Sequence, residues 1–188
     1  QELDAALGEI DQLAAHGRVR AIGETGLDFF RTTDAAQLAQ QERSFRAHIQ
    51  IAKKHQLPVM IHDRDAHEDV FRVLADEGAP EQVVFHCFSG DSHMARYCSE
   101  RGYYISFAGN CTFAKAQQLR DAATVATADL ILVETDAPFL TPAPHRGRPN
   151  APYLVPLTVR GIALLRPEPL DELCQIISDN SERVYGPW

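Results

Sequence analysis

The chain has 188 residues, 45% of them hydrophobic, enough to bury a core and too apolar for a disordered or fibrous protein. Its 18 Lys+Arg against 26 Asp+Glu leave a net charge of −8; this argues against a surface that coats nucleic acid broadly but leaves a metal-filled pocket open, because bound divalent ions reverse charge locally. No apolar run approaches the ~20 residues that cross a bilayer, and Cys87, Cys98, Cys111 and Cys174 form no Cys-x-x-Cys pair, so neither a zinc ribbon nor a disulfide framework is suggested.

Cysteine usage of this kind predicts a cytoplasmic, reducing address. Gln1 opens the chain inside a helical pattern, so a targeting signal ahead of it would not be seen.

In chain order, Leu3, Leu7, Ile10, Leu13 and Ala14 recur at helical spacing before Gly17. Val19 to Ile22 reads as a strand running out at Glu24, with Gly23 and Gly26 freeing the backbone around that carboxylate. Leu38, Phe45, Ile49 and Ala52 mark a helix that stops before Pro58, and strand Val59 to His62 follows. The alternation continues: a helix near Ala66 to Asp76, strand Val83 to His86, a helix near His93 to Arg101 and strand Tyr103 to Phe107. A helix near Lys115 to Ala126 then leads to strand Leu130 to Thr135. The Pro138 to Pro152 stretch, with five prolines, reads as a loop over an active-site face. Two more helices, through Tyr153, Leu157 and Leu164 and through Leu170, Leu173, Ile177 and Val184, close a single domain over residues 1–188.

Strands alternating with helices predict an α/β fold with a helix-covered parallel sheet. Glu24, His62, His86 and Asp136 stand where four separate apolar runs stop. A parallel barrel builds its site in this way, from the C-terminal ends of several strands. One histidine at a strand end is more often a hydrogen-bonded core residue than a ligand, but a purely structural role for all four would bury two carboxylates without visible basic partners. Imidazole and carboxylate donors suit zinc, manganese or iron, and a carboxylate bridge also holds two magnesium ions. A metallohydrolase is the expectation.

Strand alternation sends Cys87 outward as a packing residue if His86 faces inward, and sets Glu134 one layer below Asp136. Glu134 then either supports the ligands or pairs with a Lys or Arg of a neighbouring strand. His67-Glu68 lacks the second histidine of a metalloprotease helix, since position 71 is Phe. His16, His48 and His55 fall in helices and read as solvated or packing residues. Arg64, two residues past His62, could hold a phosphate with its planar fork or pair with Asp63 or Asp65. His145 and Arg146 lie on the loop after Asp136, where basic groups could reach an anionic substrate or simply remain solvated.

The segments Gly23-Glu24-Thr25-Gly26-Leu27-Asp28, Ile61-His62-Asp63-Arg64, His86-Cys87-Phe88-Ser89-Gly90, Tyr104-Ile105-Ser106-Phe107 and Glu134-Thr135-Asp136-Ala137-Pro138-Phe139-Leu140 together resemble the TatD family of metal-dependent deoxyribonucleases, nearly end to end. Pro144-His145-Arg146-Gly147 and Ser178-Asp179-Asn180 look like further family segments. The resemblance implies a TIM-type (β/α)8 barrel of the amidohydrolase-like superfamily with two divalent ions (Mg2+, Mn2+ or Zn2+). It implies that Glu24 bridges both ions, that His62 and His86 bind one, and that Asp136 binds the other and contacts the attacking water. The implied activity is exonuclease-type phosphodiester hydrolysis on single-stranded DNA or DNA ends, by a monomer without a membrane partner. Two alternatives stay open: an amide or ester hydrolase such as a D-aminoacyl-tRNA deacylase, and a non-catalytic, truncated barrel.

The family pattern begins with a His-x-His strand, which this sequence lacks. Five strands cannot close an eight-stranded barrel, and the chain is about 60 residues short of the ~250 typical of that fold. The expectation is that the chain shows only the last five strands of the barrel and that the functional polypeptide extends upstream of Gln1.

Overall fold

The computed structural model describes residues 2–187. They form two compact units, the first ending at Phe85 and the second beginning at His86.

The first unit runs α1 (Glu2–Ala14), β1 (Ile22–Asp28), α2 (Ala35–His55), β2 (Val59–Arg64), α3 (His67–Glu77) and β3 (Val83–Phe85). Strand β2 pairs in parallel with β1 and with β3. Phe45, Ile49 and Ala52 recur at helical spacing along α2, and all three are buried. The helix starts where the Asp34 carboxylate accepts the Gln37 N–H at 3.0 Å, and it ends at Gln56 in a left-handed conformation. On the outer side, Arg46 bridges Glu42, Asp76 and Glu77, while Arg72 bridges Glu42 and Asp69. Helix α1 has one fully covered residue, Ala14, and Leu13 is exposed.

The second unit runs α4 (Ser92–Glu100), β4 (Tyr104–Phe107), α5 (Gln117–Val125), β5 (Ile131–Val133), α6 (Val155–Ala163) and α7 (Leu170–Tyr185), with short 3-10 turns at 109–112, 128–130 and 152–154. Strands β4 and β5 are parallel, with Phe107 opposite Val133. Phe88, Phe107, Ile105, Ile131, Ile162 and Leu173 are its largest fully buried side chains. The buried Asn180 side chain donates to the Ala128 and Ile131 carbonyls at 2.9 and 2.8 Å, which fastens α7 to the start of β5.

The expected α/β class is observed: parallel strands alternate with helices as in a TIM-type barrel. The boundaries near the site differ from expectation. Strand β1 starts at Ile22 and continues to Asp28, so Glu24 lies within a strand and not at its end. Two glycines permit this course. Gly23 and Gly26 have φ of 154° and 142°, and a Cβ at Gly26 would collide with the His62 carbonyl oxygen. Strand β2 likewise runs past His62 to Arg64. Strand β3 stops at Phe85, and Cys87 turns into a positive φ of 44°, so period-two alternation does not place its side chain. Strand β5 stops at Val133, leaving Glu134 and Asp136 in extended and turning chain beyond it. His16 follows α1 instead of lying in a helix, because the chain turns at residues 15–18.

Candidate metal centre

Two groups of donors are built, one in each unit. In the first, the β1–β2 register sets Gly26 opposite His62 and Asp28 opposite Arg64. The His62 ring then has a carboxylate at each nitrogen: Glu24 Oε1 lies 2.8 Å from Nδ1, and Asp28 Oδ2 lies 3.2 Å from Nε2. Asp28 is itself held. Its Oδ1 accepts the Arg31 N–H at 2.8 Å, and its own N–H donates to Gln41 Oε1 at 3.0 Å. Burial raises the Asp28 pKa, but the Arg31 N–H and the His62 ring outweigh it and hold the carboxyl below its ordinary value. Asp28 therefore stays charged beside the imidazole. Sequence reasoning assigned Asp28 no role, although its place on the Glu24 face, four residues on in a strand, was available as a signal.

In the second unit, His86, Glu134 and Asp136 offer donor atoms that all lie within 4.8 Å of one another. Glu134 uses both oxygens. Oε1 lies 2.9 Å from His86 Nδ1, and Oε2 accepts the Cys87 N–H at 3.0 Å. Its backbone is fixed by an N–H bond to the Phe107 carbonyl at 3.1 Å. Burial pushes the Glu134 pKa up, yet His86, Ser106 and the Cys87 N–H together hold it below the usual range. Burial, with a smaller contribution from the Glu134 charge, raises the Tyr185 phenol to about 12. Of the two roles open to Glu134, pairing with a strand Lys or Arg is replaced by a grip on His86. Asp136 adopts a positive φ of 55°, and its carbonyl accepts the Phe139 N–H at 2.8 Å, closing the turn that begins the proline-rich loop.

The donors fit divalent ions. A 2.8 Å separation between Glu24 Oε1 and His62 Nδ1 suits two atoms bound to one ion at ~2.0–2.2 Å each as well as it suits a hydrogen bond. The carboxylate on the opposite nitrogen is the arrangement that fixes the tautomer of a metal-ligating histidine. In His62 that leaves Nδ1 for the ion, and in His86 it leaves Nε2.

The basic residues are placed as follows. Arg64 shares the partly open face of β2 with His62, and its guanidinium sits 3.9 Å from the Phe30 ring centroid. Asp63, its expected alternative partner, is buried and lies 2.7 Å from His67 Nδ1. His145 is half-buried in a turn, where its N–H donates to the Pro142 carbonyl at 2.9 Å. Arg146 is exposed, 4.3 Å from the Phe113 ring centroid. His48 Nδ1 lies 2.8 Å from the Ser44 carbonyl, and His55 Nε2 lies 2.7 Å from Asp11, so neither belongs to a donor group.

Comparisons with known proteins agree with this donor chemistry. A family model described as TatD related DNase matches residues 1–186. The chain is 45% identical to an uncharacterized metal-dependent hydrolase, TatD, of Mycobacterium tuberculosis, over 97% of this chain and 70% of that protein. It is 41% identical to an uncharacterized metal-dependent hydrolase, YcfH, of Escherichia coli K12, over 94% of this chain and 66% of that one. Among solved structures, a TatD homologue of Escherichia coli K12, YJJV, superposes with a TM-score of 0.91 at 30% identity, covering 98% of this chain and 71% of the other. The chain thus spans about two thirds of the length of these relatives, and it belongs to the TatD related DNase family of metal-dependent hydrolases.

Proposed function

We propose that this chain carries the hydrolytic site of a metal-dependent deoxyribonuclease that cleaves phosphodiester bonds at DNA ends. The observation that supports this best is the pairing of each histidine with a carboxylate on one ring nitrogen, Asp28 on His62 and Glu134 on His86. Such pairs present the other nitrogen as a fixed lone pair.

Glu24 and His62 in the first unit, and His86 and Asp136 in the second, would hold divalent ions, Mg2+, Mn2+ or Zn2+. Such ions supply Lewis-acid polarisation of a phosphoryl oxygen and a water of near-neutral pKa. Asp136 orients the attacking water and accepts its proton, which needs a carboxylate within hydrogen-bond reach. Arg64 and Arg146 offset charge developing on the substrate phosphate, and His145, anchored in its turn, donates a hydrogen bond to it. The substrate would be single-stranded DNA or a duplex end, and the working form a cytoplasmic monomer. Among the described residues no helix is long and apolar enough to cross a membrane.

The test compares turnover of end-labelled DNA, acyl esters and charged tRNA by the same metal-loaded preparation, with its metal content measured. Release of nucleotides from DNA ends supports the reading. Preferential turnover of esters or charged tRNA would assign the site to acyl hydrolysis. Absence of bound metal together with absence of turnover would leave a binding scaffold.

A further inference from the structure

The loop after Asp136 carries an exposed groove whose aromatic lining the hydrolytic chemistry does not use. The groove, of about 550 Å³, is lined by Phe113, Pro138, Phe139, Leu140, Arg146 and Arg148, among others. That is the size range of small-ligand sites, ~300–1,000 Å³. Phe139 stands 67% exposed at its edge. Its ring there adds an aromatic face to a groove rimmed by the Arg146 and Arg148 side chains. Arg146 and Arg148 are both exposed, and among the described residues neither forms an ion pair, in a chain whose net charge is −8.

The loop is also fixed. The buried Asn150 side chain donates to the Thr135 and Phe139 carbonyls, each at 2.7 Å, and its backbone N–H donates to the Pro138 carbonyl at 3.0 Å. Thr141 Oγ1 donates to the Arg148 carbonyl, tying the two sides of the groove together. The Phe139 N–H bond to the Asp136 carbonyl, 2.8 Å, places the exposed ring one turn from the proposed proton acceptor. A ligand that rewards both an aromatic face and guanidinium planes is planar and part of an anion. A bare phosphate would leave Phe139 without a role, and an apolar ligand would leave the arginines without one.

We propose that this groove is a stacking subsite for one nucleobase of single-stranded DNA, seating the nucleotide next to the scissile phosphate against Phe139 and Arg146. The inference rests on DNA being the substrate. Stacking on a ring or a guanidinium accepts any base, so binding here is tolerant of sequence.

The experiment measures anisotropy of a short labelled DNA strand and of an abasic strand of equal length, in EDTA, with the whole chain. Repulsion from the site carboxylates is common to both strands and cancels in the ratio of affinities. The base-bearing strand is expected to bind roughly 5- to 150-fold more tightly, the range that follows from ~1–3 kcal/mol per stacked base. Phe139→Ala should remove most of that ratio while leaving abasic affinity and thermal midpoint unchanged. Phe139→Trp should retain the ratio, and Arg146→Lys should reduce it. Equal affinity for the two strands in the unaltered chain, or equal weakening of both by Phe139→Ala, would overturn the subsite. Hydrolysis of the base-bearing strand with Mn2+ is followed in parallel. Failure of that hydrolysis with base-dependent binding intact counts against the nuclease reading alone.

Discussion

Glu134 holds His86 at 2.9 Å through one oxygen and the Cys87 N–H at 3.0 Å through the other. One carboxylate thereby holds both the ring of a proposed metal ligand and the N–H of the residue after it, at a point where the chain has left strand β3. Glu134→Ala should lower divalent-ion affinity by about 10- to 100-fold, the cost typical of losing such support. Glu134→Gln keeps an acceptor oxygen and should fall in between. Calorimetric titration with Mn2+ decides this, and unaltered affinity in both variants would reduce Glu134 to a packing role.

Asp28 should act on His62 in the same way from the other unit. With an ion held between Nδ1 and Glu24, Asp28 would accept the Nε2–H. Nitrogen-15 NMR of the Zn2+-loaded protein should then show a single Nε2–H tautomer, shifting to a mixture in Asp28→Ala and preserved in Asp28→Asn. A mixture already present in the unaltered protein would remove Asp28 from the account.

Arg64 and His145 are assigned to substrate, not to metal. Alanine at either position should lower phosphodiester turnover roughly 10- to 150-fold, the equivalent of ~1.5–3 kcal/mol for a hydrogen bond to a charged group. Metal content should not change. Loss of metal in Arg64→Ala would instead place that residue in the ligand set or the folding core.

Stability at low pH should follow Glu42. Hydrogen bonds from Arg72 and Arg46 lower its carboxyl from 4.5 to about 2 in the folded chain. A depressed folded pKa means that the contribution is complete above the unfolded value and disappears as pH falls through about 2. Urea midpoints measured from pH 5 downward should decline between these values, and Glu42→Gln should flatten that part of the decline while lowering the midpoint at pH 7. An unchanged slope in the variant would show that other carboxylates dominate.

The strand-helix alternation was legible because apolar periodicity changes from 3.6 to 2 at Pro58 and again at each later strand, and the buried faces of α2 and β2 carry that pattern openly. Glu24 and His62 were legible as polar interruptions of apolar runs. Their true position inside strands was not, because β1 follows an irregular register between Ile22 and Thr25 that a residue count cannot convey. The role of Asp28 was hidden, and that of Glu134 stayed divided between supporting the ligands and pairing with a Lys or Arg, for another reason. Each depends on which ring nitrogen a carboxylate reaches, a tertiary distance that spacing alone does not contain. The stacking groove depends on Asn150 folding the loop back on Thr135, a contact 15 residues apart.

The central claim is metal-dependent phosphodiester hydrolysis with Asp136 as proton acceptor. The measurement that tests it most directly is release of nucleotides from a single-stranded DNA end as Mn2+ is titrated into metal-free protein, for the unaltered chain and for Asp136→Asn. The account predicts turnover that rises with Mn2+, disappears in EDTA, and falls below about 1% of the unaltered value in Asp136→Asn, given the ~10²–10⁴-fold contribution of a general base. Turnover that persists in EDTA, or that survives Asp136→Asn with metal bound, would contradict it.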